Sequence, residues 1–146
     1  MNQKEGPFKK VEKTAEKMYG PRKLLVCGYS AKEQEALVTC VKETDLNDLP
    51  VVFIGENEGD KLISEILAWD DGHGAGEDSS LGRAVIMSGF FKEELHRLMK
   101  NYKESGMPSQ LWATVTPISE GWRLIDLLKE LAVEAEAMRK RTSSKN

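Results

Sequence analysis

The chain has 146 residues, 40% of them apolar and 31% charged, with a formal net charge of −3. That length and composition suit one globular domain that buries a full core without disulfides or a structural metal, which excludes global disorder. No apolar run approaches the roughly 18 residues of a membrane span, and the weak charge gives nucleic acid no general electrostatic hold, so a cytoplasmic protein that engages neither membrane nor nucleic acid is expected.

Residues 1–22 carry Phe8, Val11, Ala15 and Met18 at helical spacing before Gly20-Pro21, which predicts an amphipathic N-terminal helix over Phe8–Tyr19. Leu24-Leu25-Val26-Cys27-Gly28 reads as a buried strand. Ser30 stands three positions before Glu33, the spacing of a capping box, and Ala36, Leu37, Cys40 and Val41 give the next helix its apolar stripe. Val51 to Gly55 is a second strand, opened by Pro50, and Leu62, Ile63, Ile66 and Leu67 mark a second helix ending near Trp69. These elements make a first β-α-β-α unit over 23–69. Residues 70–82, DDGHGAGEDSSLG, are glycine-rich and acidic and read as a flexible linker.

The second half, 83–140, repeats the first at an offset of about 61 residues. Gly28 meets Gly89, Tyr29 meets Phe90, Glu33 meets Glu94, Leu37 meets Leu98, Lys42-Glu43 meets Lys103-Glu104, and Ile63, Ile66 and Leu67 meet Leu124, Leu127 and Leu128. Strand Ala84–Ser88, helix Lys92–Glu104, strand Gln110–Thr116 and a long helix from about Ser119 to Arg139 follow, with residues 141–146 as a disordered tail. Leu111, Ala113 and Val115 alternate with Gln110, Trp112, Thr114 and Thr116, which suits a sheet edge. The fold class is therefore α/β: a single domain of two tandem β-α-β-α repeats forming a four-stranded, mainly parallel sheet in the order 2-1-3-4, with helices on both faces. In a parallel sheet of that order the two glycine-ending strands are central neighbours, and their carboxyl ends would form a switch-point crevice.

That crevice would be lined by Cys27, Gly28, Tyr29 and Ser30 from one turn and Ser88, Gly89, Phe90 and Phe91 from the other, with helix-start amides free for an anion. The plainer reading has glycine making the turn while the aromatic and Ser30 pack and cap the helix. Thr116 and Trp122 could wall a further pocket, although a tryptophan there is as readily packed on the sheet. Cys27 and Cys40 read as reduced, buried thiols. Cys27 is followed six positions later by Glu33 where a cysteine phosphatase needs arginine, and the acidic residues of a receiver domain and the nucleotide-binding glycine motifs are also missing. His73 lies in the linker near Asp70 and Asp71, a weak metal candidate, and His96 reads as a surface residue. No cofactor and no metal site are expected.

Ser88-Gly89, Glu94, Leu95, Thr116-Pro117, Trp122 and Leu127-Leu128, within the stretch from Val85 to Leu131, give about a third of the chain a likeness to a known pattern. This part resembles an uncharacterised bacterial domain family, domain of unknown function 3783. The resemblance implies a discrete domain and supplies no activity. With no matched acid, base, nucleophile or metal set in view, the expected function is non-enzymatic binding of a small molecule or a protein partner at the crevice, with a homodimer among the options. The alternative is a small-molecule enzyme using Cys27, Ser30 or Ser88 in the same crevice. A third option is an oligomerisation surface made by the N-terminal helix and the Ala132–Ala137 extension.

Overall fold

The computed structural model describes residues 16–144, in which the apolar runs form the four strands β1 (Lys23–Cys27), β2 (Val51–Ile54), β3 (Ala84–Ser88) and β4 (Leu111–Thr114). Between them lie α1 (Ala31–Glu43), the four-residue α2 (Ile63–Ile66), α3 (Lys92–Glu104) and the long α4 (Leu124–Ser144). Helix α1 starts where the capping box placed it: Ser30 Oγ accepts from Glu33 N–H and Glu33 Oε1 accepts from Ser30 N–H. The expected start of the last helix moves from Ser119 to Leu124. A short 3-10 turn, Ser119–Gly121, takes the intervening residues.

The strand order is β2-β1-β3-β4, as expected. The pairing of β1 with β2 and of β3 with β4 is parallel, so the sheet is mainly parallel as expected; the central pair, β1 and β3, is antiparallel, which makes the sheet mixed and removes the shared carboxyl ends on which the crevice depended. The packing gives the reason. Helices α1 and α3 cover one face, with Leu24, Val26, Leu37, Val85, Leu98 and Tyr102 in one core. Helices α2 and α4 cover the other face, where Leu25, Cys27, Ile63, Ile86, Leu124 and Leu127 form the second core. Right-handed crossovers that set both first helices on one face require the half-sheets to be related by a half-turn about the sheet normal, and that turn reverses β3.

The chain path achieves the reversal with one extra pass. After β2, the short helix brings the chain back to the start of β1, where Lys23 Nζ donates to the carbonyls of Leu67 (2.9 Å) and Trp69 (2.5 Å). Residues 71–74 then climb along the outer edge of β2. Gly72 N–H donates to Val51 C=O (2.8 Å), Phe53 N–H donates to His73 C=O (2.8 Å), and the Asp71 carboxylate accepts from Val51 N–H (2.8 Å). Beyond them Gln34 accepts from Gly76 N–H (2.8 Å) and donates to Glu77 C=O (2.7 Å). Where composition suggested a flexible linker, residues 71–77 are thus hydrogen-bonded along β2 and onto α1 as a strap.

Contacts recur between the halves at the spacing that separates Gly28 from Gly89. Leu25 pairs with its own counterpart Ile86 at the centre of the sheet. Leu24 pairs with Val51 as Val85 pairs with Trp112, and Leu62 bridges its counterpart Arg123. Even the entries match: Met18 N–H donates to Phe90 C=O as Ser79 N–H donates to Tyr29 C=O. Of the expected N-terminal helix, residues 16–19 are non-helical, with Lys17 bridged to Phe91 and Tyr19 in a bend, and residues 8–15 lie outside the described residues.

Candidate functional site

The antiparallel centre divides the expected crevice. Cys27 lies opposite Ala84 and Ser88 lies opposite Lys23, which sets Cys27 and Ser88 about 13 Å apart along the strands and the glycine turns just beyond them on opposite rims of the sheet. Cys27, Gly28, Tyr29 and Ser30 stay together at one rim, and Ser88, Gly89, Phe90 and Phe91 at the other; no crevice is shared between them. A joint ligand site, and an enzyme combining Cys27 or Ser30 with Ser88, are therefore excluded by the geometry.

Each rim is filled by the chain itself. Gly28 (φ +84°) and Gly89 (φ +67°) press against the backbone entering the opposite half, Leu81–Arg83 and Gly20–Arg22 respectively. The start of α1 offers little to an anion, because Ala31 N–H already donates to the Asp78 carboxylate (2.7 Å) and Glu33 N–H to Ser30 Oγ (3.2 Å). Behind the turns sit two matching arginine clamps. Arg22 makes a two-pronged bond to Glu94 (2.7 and 2.8 Å) with its guanidinium 5.8 Å from the Phe90 ring centre. Arg83 faces Glu33 at 3.6 Å and lies 5.4 Å from the Tyr29 ring centre.

Cys27 is buried and its thiol contacts Ala84 C=O at 3.7 Å. Burial pushes its pKa up to about 12, against a smaller lowering by that carbonyl contact, so the thiolate is scarce at neutral pH. Native protein at pH 7.5 is expected to leave Cys27 unlabelled by iodoacetamide over hours, with labelling appearing in denaturant. Rapid native labelling, read by peptide mass spectrometry, would overturn that assignment. Ser88 is fully buried, and its hydroxyl has no hydrogen-bond partner among the described residues. Thr116 closes a turn by hydrogen bonds with Ser119, and Trp122 packs partly buried on the second core. Trp122 lines a cleft of about 570 Å³ with Leu62 and Arg123, and Thr116 is not part of that cleft. His73 hydrogen-bonds Glu58 (2.9 Å) and stacks on Trp69, and no group of three metal-ligating side chains occurs among the described residues.

The surface that sequence reasoning missed is the outer edge of β4. Leu111 N–H and Val115 N–H point inward to Arg83 and Met87 carbonyls (3.1 and 3.0 Å), so the intervening Trp112 and Thr114 amides point outward. Their counterparts in β2, Val51 and Phe53, point outward too and are met by the strap. Among the described residues nothing meets Trp112 and Thr114. Beside this edge a groove of about 540 Å³ runs between β4 and α3, lined by Met99, Lys100, Tyr102, Lys103, Met107 and Trp112. Trp112 stands edge-on to Tyr102, whose hydroxyl donates to Pro108 C=O (2.6 Å), so the aromatic floor of the groove is fixed. The matching groove of the first half, about 410 Å³ between Gln34, Val38 and Phe53, has Ala75 and Gly76 of the strap as part of its wall. The signal was present in the half-apolar alternation of β4. It marked an edge strand but not which of the two edges stays open.

No helix among the described residues is long and apolar enough to cross a membrane. No curated protein and no solved structure matches the chain. Residues 83–138, from the start of β3 through most of α4, are similar to the family described as Domain of unknown function (DUF3783), the half that carries the open edge.

Proposed function

We propose that this chain is a non-catalytic protein-binding module that works through the open edge of β4 and the groove between β4 and α3. The observation that carries this reading is the contrast between the two sheet edges. Residues 71–74 pair along β2, whereas the Trp112 and Thr114 amides face outward beside a groove with exposed lysines and a fixed aromatic floor. An unpaired edge strand invites strand addition, and natural proteins cover or blunt such edges unless they use them. The protein-partner branch of the expected function is kept and its location moves from the glycine turns to β4. The buried thiols of Cys27 and Cys40 fit a reducing, cytoplasmic setting. The recurrence of strand register, clamps and entry contacts at one spacing supports descent of both halves from one ancestral unit, of which only the second has kept its similarity to the family.

Amide hydrogen exchange tests the edge directly. In the free protein the Val51 and Phe53 amides are expected to exchange at least about a hundredfold more slowly than those of Trp112 and Thr114, because only the former must wait for a structural opening. Equal protection of the two pairs, measured by NMR, would remove the basis of the reading.

A further inference from the structure

Resting on the open-edge reading, we infer that the β4 edge takes a segment of another protein in which an acidic side chain is followed by a glycine-rich run of turns, as residues 71–76 form with Gly72, Gly74 and Gly76 at positive φ. The chain displays such a segment on its own β2. There the Asp71 carboxylate receives Val51 N–H (2.8 Å), Gly72 N–H donates to Val51 C=O (2.8 Å), and His73 C=O receives Phe53 N–H (2.8 Å). Gly74 follows, so close to Phe53 C=O that any side chain there would collide with it.

The register carries these contacts to the other edge. Val51 pairs with Leu24 and Phe53 with Val26; in the second half Trp112 pairs with Val85 and Thr114 with Met87, the counterparts at the same spacing. An incoming segment that repeats the β2 pattern would set an acid on Trp112 N–H, the next residue's N–H on Trp112 C=O, and a carbonyl on Thr114 N–H. Charge favours the same acid. Lys100 and Lys103 line the groove and are exposed, with no ion pair among the described residues, whereas α1 has Thr39 and Lys42 at the matching positions. A second copy of the chain suits the edge less well, because pairing β4 with β4 brings both pairs of lysines to one seam.

The probe is the chain's own sequence supplied in trans, the peptide of residues 69–77, WDDGHGAGE, titrated into the full-length ¹⁵N-labelled protein. Saturable shifts at Trp112 and Thr114 are expected. Affinity should fall at least tenfold when both aspartates of the peptide become lysine, and likewise in the K100E/K103E protein. Thr114→Pro removes only an outward N–H and should abolish binding while the melting temperature stays near that of the parent; should that variant unfold, the lysine variant carries the test. Shifts confined to Val51 and Phe53 would mean the peptide displaces the strap, and would overturn the inference. Equal affinity for the lysine peptide would overturn the acidic motif and leave the open-edge reading standing. Trp112 and Thr114 amides protected in the free protein would overturn both, with doubled mass in sedimentation identifying a second copy as the occupant and a monomer identifying the chain's own residues.

Discussion

Gly28→Ala and Gly89→Ala should each destabilise the protein by about 2–5 kcal/mol, combining the left-handed backbone penalty with overpacking. Both residues hold positive φ at the junction of a strand with the following helix. A Cβ on Gly28 would stand 2.5 Å from Leu81 C=O and 2.6 Å from Arg83 Cα, which are backbone atoms that no rotamer change can move. One on Gly89 would meet the carbonyl of Gly20 and lie 2.7 Å from Arg22 N. The two losses should be similar, because each turn is packed by the segment that enters the opposite half. Gly82→Ala is the control. Its site has ordinary φ and open space, so its unfolding free energy from urea titration should stay within about 0.5 kcal/mol of the parent's. If Gly28→Ala unfolds at the same urea concentration as Gly82→Ala, the close approach of the two halves at the rims is wrong.

The same geometry explains what the sequence made legible. Local signals were reliable where a few neighbouring residues decide the outcome: the Ser30/Glu33 box starts α1, and the alternation of residues 110–116 marks β4 as an edge. Strand order also followed, since a duplicated β-α-β unit has few ways to share one core. The direction of β3 did not follow, because it depends on whether the chain crosses the sheet an odd or even number of times before re-entering. Asp71 to Gly74 make that extra crossing, yet their composition reads as a turn-rich connector, and their pairing to Val51 and Phe53 uses backbone atoms that leave no apolar pattern. With β3 reversed, the glycine turns separate and the crevice inferred from them disappears. The open edge of β4 was hidden for the complementary reason: nothing in residues 111–114 records that the strap covers only β2.

Arg22 and Arg83 occupy matching positions, and the structure gives them unequal tasks. Arg22→Met is expected to cost about 1–3 kcal/mol at pH 7, because it strands the partly buried Glu94 carboxylate that now receives two charged hydrogen bonds. Arg83→Met should cost less than about 1 kcal/mol: its nearest approach to Glu33 is 3.6 Å, with both side chains about a third exposed. The pH dependence separates the charge effect from lost packing on Phe90. Burial alone would raise the Glu94 carboxyl, but the hydrogen bonds from Arg22 and Phe91 N–H and the arginine's charge outweigh it and hold the pKa below the usual glutamate value. The unfolded chain therefore takes up this proton at higher pH than the folded one. The clamp's contribution is complete above the ordinary glutamate pKa, and it drains away as the pH falls from there through the lower folded value. Urea titrations from pH 7 to pH 3 should show this loss in the parent and in Arg83→Met, and a flatter profile in both Arg22→Met and Glu94→Gln. Parallel profiles for Arg22→Met and the parent would mean that the arginine acts through its stacking on Phe90 alone.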